Sequence, residues 1–150
     1  MENSIRGGKT YSIVYQAVDL AAAASVNLGI TTPATGFIYL DSIVLSTSAN
    51  TTRVSVYENI SYTEGSARTP LNLNRNSGAT TDVTAKTGVT ATVSGVPMDV
   101  IIGTVYSGTV SGSVQSVLDQ GQEYVFEISN IGASTATTAT LIVTFTESIG

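Results

Sequence analysis

Apolar and polar side chains alternate with a period of two along almost the whole chain, with Thr, Val, Ile and Tyr in the runs and clusters of Gly, Asn and Ser between them. This pattern predicts an all-β protein. Tyr11, Ile13 and Tyr15 alternate with Ser12, Val14 and Gln16. From Phe37 to Ser46 the run is apolar on both faces at its start, as expected of a strand inside a sheet. Val54 and Val56 oppose Arg53, Ser55 and Tyr57; Val89, Ala91 and Val93 oppose Thr90, Thr92 and Ser94; Met98, Val100 and Ile102 make a further short run. The clearest signal is the last pair. Tyr124, Phe126 and Ile128 alternate with Glu123, Val125 and Glu127, and Ala139, Leu141, Val143 and Phe145 with Thr140, Ile142, Thr144 and Thr146. A loop from Asn130 to Thr137 lets these two pair antiparallel.

Asp19 to Ser25 is the one helix candidate, because Asp caps helices, Ala has the highest helix propensity and Gly29 offers a stop. Val26, Leu28 and Ile30 alternate with Asn27 and Gly29, however, and the β context favours extended structure here. The Gly/Ser-rich stretch Ser107 to Ser116 reads as a long loop or weak edge. The reading is a single-domain antiparallel β-sandwich, jelly-roll-like, over residues 11–150, preceded by a short N-terminal arm over residues 1–10. Alternation does not separate a jelly roll from a plain sandwich.

The chain has 150 residues, enough for one core, with 42% hydrophobic but only 11% charged residues and a net charge of −5. Ser and Thr supply roughly a quarter of the residues, so the surface is built from hydroxyls and amides rather than ions. The chain has no Cys and no His. That removes disulfides, thiolate nucleophiles, imidazole bases and nearly all transition-metal sites. Six scattered cations do not make a phosphate-tracking surface, so nucleic acid is not an expected partner. No basic end runs into an apolar secretory stretch, and no run approaches the ~20 residues that span a bilayer; a soluble product of a cytoplasm is expected, with no membrane partner.

Carboxylates are the remaining catalytic chemistry. Glu123 and Glu127 stand four apart on one strand face, roughly 13 Å at 3.3 Å per residue, beyond the ~5–9.5 Å needed for glycoside hydrolysis. Asp41, Asp82, Asp99 and Asp119 stand alone and form no Ca²⁺ loop. No catalytic residue, cofactor or metal is expected. Tyr11, Tyr15, Tyr39 and Tyr124 fall on a core or sheet face, leaving Tyr57, Tyr62 and Tyr106 as candidate exposed rings.

Leu71-Asn-Leu-Asn-Arg-Asn-Ser-Gly78 is the most distinctive string. Alternation places Asn72, Asn74 and Asn76 on one side and Leu71, Leu73 and Arg75 on the other. Two readings stand: an irregular strand ending in a turn, with the Asn side chains bonding nearby backbone and Arg75 paired with an acid, or a directional polar contact between subunits.

Three strings in order resemble one family. They are Thr51-Thr-Arg-Val-Ser-Val-Tyr-Glu58, then Leu71 to Ser77, then Gln122-Glu-Tyr-Val-Phe-Glu-Ile-Ser-Asn130 followed by a small-residue loop and the strand Leu141 to Glu147. From Phe37 to the C-terminus the chain is similar to the head decoration, or cement, proteins of tailed bacteriophages. Many of those end in an aromatic-acid pair where this chain has Phe145, Thr146 and Glu147. The resemblance implies a non-enzymatic β-sandwich or jelly-roll subunit, a homotrimer, bound to the major capsid protein on the outside of the head and assembled in the host cytoplasm. Such a subunit stabilises by binding the assembled lattice alone. Arg6 and Lys9 of the arm, with Asn72, Asn74, Arg75 and Asn76, are the expected capsid or subunit contacts. The alternative is a fibre-associated module that binds a host-surface glycan through loops such as Ser107 to Ser116.

Overall fold

The strands predicted by alternation are nearly all present in the computed structural model, which describes residues 7–103 and 109–148. In chain order they are β1 (Thr10–Leu20), β2 (Ser25–Thr31), β3 (Phe37–Thr47), β4 (Thr52–Glu58), β5 (Ser66–Ala67), β6 (Leu71–Asn72), β7 (Thr84–Thr87), β8 (Asp99–Gly103), β9 (Thr109–Leu118), β10 (Glu123–Asn130) and β11 (Thr137–Ser148). They build two antiparallel sheets, a first ordered β6-β1-β11-β3-β9 and a second ordered β5-β7-β2-β10-β4-β8. With β5, β6 and β7 set aside, eight strands remain, and their pairing is nested: β1 with β11, β2 with β10, β3 with β9, β4 with β8. That nesting, closed by β11 on β3 and β10 on β4, is the jelly roll.

The inward rows meet in one core. Tyr124, Phe126 and Ile128 of the second sheet face Ile13, Ile43, Leu45, Leu141, Val143 and Phe145 of the first, all essentially inaccessible to solvent. Tyr11 stacks on Phe145 with ring centroids 5.5 Å apart. Burial pushes the phenols of Tyr11, Tyr15, Tyr62 and Tyr124 above the usual tyrosine value, and for Tyr11 the carboxylates of Glu147 and Asp82 add to it. The unfolded chain therefore ionises first as pH rises. The stability these neutral phenols carry is complete below pH ~10 and is lost above it. Urea midpoints should fall between pH ~9 and pH ~11; a flat profile would contradict the assignment.

Several expectations need correction. β10 and β11 do not pair with each other, because residues 130–137 carry the chain from the second sheet to the first. Each strand has one apolar face, and facing each other across the core buries both faces. Residues 89–94 form no strand; Thr90 alone makes a bridge, to Thr63. In β8 the buried residue is Ile101, opposite Val54, while Val100 and Ile102 are 44% and 51% exposed on the outer side of an edge strand. The Asp19–Ser25 segment is extended to Leu20 and then turns, with Asp19 and Ala23 at φ 52° and 62°. β3 lies inside its sheet as expected, and β9 is an edge.

Residues 59–98 are an insertion between the paired strands β4 and β8. The chain leaves β4 with the Ile60 and Tyr62 N–H groups donating to Glu123, to its carbonyl at 3.3 Å and its carboxylate at 2.8 Å. It then crosses to the far edge, where β7 and β5 extend the second sheet beside β2 and β6 extends the first beside β1. It returns through Val89, whose N–H donates to the Asn27 carbonyl, and Met98, whose N–H donates to the Val56 carbonyl.

The Tyr62 ring lies on Gly29, and its hydroxyl is 2.5 Å from Thr31 Oγ1. A Cβ at Gly29 would stand 2.8 Å from three atoms of that ring. Gly29→Ala should therefore dislodge Tyr62 and cost about 1–3 kcal/mol of overpacking, read as a lower urea midpoint. Tyr62→Ala in the same background should recover part of the loss; no recovery would show that the ring is not the obstacle.

Candidate functional site

The two sheets present different outer faces. On the second sheet, Val125 points outward by register, opposite Gly29 and Tyr57, yet it is fully buried, with Tyr62 seated on the adjoining Gly29. Ser55, also outward, is 3% exposed.

The first sheet is open away from its β6 edge, where Thr10 and Ser12 are buried. Register aligns its outward residues in rows across the strands: Thr10, Thr146, Tyr39 and Val117; then Ser12, Thr144 and Ser42; then Val14, Ile142 and Val44; then Gln16, Thr140 and Ser46. Phe37 extends the face beyond Tyr39. Phe37, Tyr39 and Val117 are 44%, 39% and 55% exposed. These rows contain hydroxyl, aliphatic, aromatic and amide side chains and no charge. One carboxylate reaches the face between these rows: Asp41, half-buried at the β3 bulge, accepts a hydrogen bond from Thr146 Oγ1 at 2.6 Å. Six residue steps along three strand gaps make this a surface of roughly 20 by 15 Å. A flat face with a single carboxylate, itself hydrogen-bonded, suits contact with another protein surface, since interface cores are depleted of charge.

One edge of this face is built by the Asn-rich segment. β6 contains only Leu71 and Asn72, paired with Ser12 and Tyr11. Asn72 is buried; its amide donates to the carbonyls of Gly8 at 3.0 Å and Ala79 at 3.1 Å, and its Oδ1 accepts the Asn74 N–H at 2.9 Å. Asn74 Oδ1 accepts the Asn76 N–H at 3.2 Å. These local bonds turn the chain, so the alternation of sides ends at β6. Arg75 Nη1 donates to the Asn72 carbonyl at 3.3 Å, where an acid was the expected partner. Asn72 and Asn74 are thus occupied in building the turn, while Arg75 and Asn76 are exposed beside it. Lys9 is exposed at the same edge, and its carbonyl accepts the Glu147 N–H at 2.9 Å. Gly8 is buried, its carbonyl also taking the Tyr11 hydroxyl at 3.1 Å. Of the expected arm, Gly8 to Thr10 are therefore bonded into the sandwich, and Arg6 lies outside the described residues.

The expected exposed rings sort differently from prediction. Tyr62 is half-buried against Gly29, Tyr57 is half-buried and Tyr106 lies outside the described residues, whereas Tyr39 is open to solvent. The signal for the open face was the alternation of Phe37 and Tyr39 with Ile38 and Leu40. Glu123 holds the insertion through the Tyr62 N–H, a structural use.

No family model matches the chain, and no curated protein matches it. Among solved structures it is similar to a GH26-CBM35 β-(1,4)-mannanase of Podospora anserina (14% identity, TM-score 0.32, covering 93% of this chain and 28% of that one). It is also similar to the infectious bursal disease virus Gt strain structure (11% identity, TM-score 0.22, 95% and 41%) and to the VP2 subviral particle of that virus (10%, 0.22, 94% and 41%). The chain spans well under half of each of these proteins. At these scores the likenesses carry no argument, and the fold rests on the strand pairing above.

Proposed function

We propose that the chain is a non-enzymatic virion structural protein, a decoration or cement protein that docks on the outside of a phage head, binds the major capsid protein and stabilises the lattice. The observation that supports this most is the sparsely charged open face of the first sheet, set against a second sheet that the protein's own insertion overlays. The face supplies flat contact area, and Lys9, Arg75 and Asn76 supply polar contacts at its edge, the usual division between the core and rim of an interface. Binding only the assembled lattice stabilises it by mass action over many copies, without chemistry. The working unit in this proposal is a homotrimer.

The test combines light scattering with co-sedimentation on heads of the parent phage that lack the protein. The proposal expects a trimer mass, binding to those heads, and loss of binding in Val44→Asp, whose site is at the middle of the open face. A monomer that ignores the heads, or a Val44→Asp protein that binds unchanged, overturns it; glycan binding without head binding would move the role to a fibre-associated module.

A further inference from the structure

Along the β1 edge, beyond β6, two adjoining hollows of about 410 and 330 Å³ share Val14 and Arg68. The larger is completed by Tyr15, Gln16, Thr87 and Thr140, and the smaller runs on toward Leu71. Volumes of this order are those of small-ligand sites.

The groove has a definite chemistry. The Arg68 N–H donates to the Ala85 carbonyl at 2.9 Å, which fixes this residue beside β7 while leaving its side chain exposed. Among the described residues no carboxylate pairs with the guanidinium, although the chain carries 11 acids against 6 cations. The groove therefore holds one cation and no anion. Tyr15 is half-buried and packed against the core, with its hydroxyl beside Gly88, and it lines the groove together with Val14. Gln16 Nε2 reaches Thr140 Oγ1 only at 3.5 Å, a long bond that leaves both groups able to bond elsewhere. Thr87 adds a further hydroxyl.

A guanidinium fork matches a carboxylate with two parallel hydrogen bonds. An aromatic and aliphatic wall fits the apolar face of a saturated ring, and an amide with two hydroxyls fits ring hydroxyls. We propose that this groove is a binding site for an acidic sugar of the uronic-acid class, its carboxylate on Arg68, its ring against Tyr15 and Val14, and its hydroxyls on Gln16, Thr140 and Thr87. This site adjoins the face of the capsid-binding proposal and shares Val14, Gln16 and Thr140 with its rows, but it is measured on the isolated protein with a soluble ligand, so its failure and the failure of that proposal are distinguishable.

The experiment is an amide NMR titration of the full chain with glucuronate, and in parallel with glucose and with acetate. Saturable shifts at Val14 to Gln16, Arg68 and Thr140 are expected with glucuronate, with glucose and acetate each at least tenfold weaker. Arg68→Ala should weaken glucuronate at least tenfold, with Arg68→Lys between the two. Lys86→Ala removes the same charge outside the groove and should leave binding unchanged. Arg68 is exposed, so its variants should keep the wild-type thermal midpoint, and that midpoint is measured alongside. Shifts centred elsewhere, no saturable shift, an unaffected Arg68→Ala, or acetate reproducing the whole effect would each overturn the proposal.

Discussion

Val125→Asp is expected to destabilise the protein by at least about 3–5 kcal/mol, the range for a buried charge without a partner. Val44→Asp, on the corresponding face of the other sheet, should cost about 1 kcal/mol or less, the span of strand propensities on a solvated face. Both residues point away from the core, and by alternation alone they are equivalent. Val125 is fully buried, however, and a carboxylate there would lose its water. Val44 is half-buried among Ser42, Ser46 and Ile142, where a carboxylate still reaches solvent. A domain of this size holds about 5–15 kcal/mol in total, so the first change brings the protein close to unfolding at room temperature and the second does not. Urea unfolding of the two variants measures this directly. Equal losses would show that the second sheet's outer face is not covered.

Asn130→Ala should cost about 3 kcal/mol, because the side chain satisfies three backbone groups at once and each buried group left unmet costs about 1–3 kcal/mol, less than additively. Its amide donates to the carbonyls of Leu20 and Thr135, both at 2.9 Å, and its Oδ1 accepts the Gly132 N–H at 3.0 Å. Its own N–H donates to the Ala24 carbonyl at 2.9 Å. The β1–β2 turn and the β10–β11 crossover, two of the places where the chain passes between sheets at this end, are thereby tied to one residue that is 1% exposed. Asn130→Asp keeps the acceptor but sets a carboxylate against two carbonyls, and should cost more than Ala. Chemical unfolding of both variants checks the order, and an Asp variant as stable as Asn would refute it.

Side-chain periodicity reports where a strand lies and which residues share a side, and on those two points the reading of β1, β4, β10 and β11 is accurate; in β3 the bulge at Asp41 shifts the alternation, so Ile38 and Leu40 face the core with Ile43 and Leu45, and Phe37 and Tyr39 face out, where strict alternation sets Phe37 and Tyr39 with Ile43 and Leu45. It carries no information about which sheet a strand joins. The clean patterns of β10 and β11 fit a hairpin and an opposed pair equally well, and only the core decides. Nor does it report what lies over a face: Val125 sits between two glutamates and reads as solvated, but an insertion forty residues long places Tyr62 beside it. At β8, an edge strand of five residues, the more numerous apolar residues face out, because register with β4 puts Ile101 beside Val54. The Asn-rich string was legible as a turn that bonds its own backbone, and that reading is the one the hydrogen bonds display. The open face was half-legible, in Phe37 and Tyr39; its low charge appears only when four strands are laid side by side.

The two margins of the sandwich are unequal. The outermost strands on one side, β5 and β6, are two residues long, while on the other side β8 and β9 have five and ten. Open-ended polymerisation through backbone pairing needs a long free margin at both ends of a sheet, so that each added copy offers a new one. Here a copy joined through β9 presents the next arrival with β6, which covers only Tyr11 and Ser12 of β1, and with the rest of the β1 margin beyond it. The insertion thus interrupts this margin, breaking what would be a continuous eleven-residue edge along β1 into a covered start and an open remainder that an incoming strand would have to meet out of line.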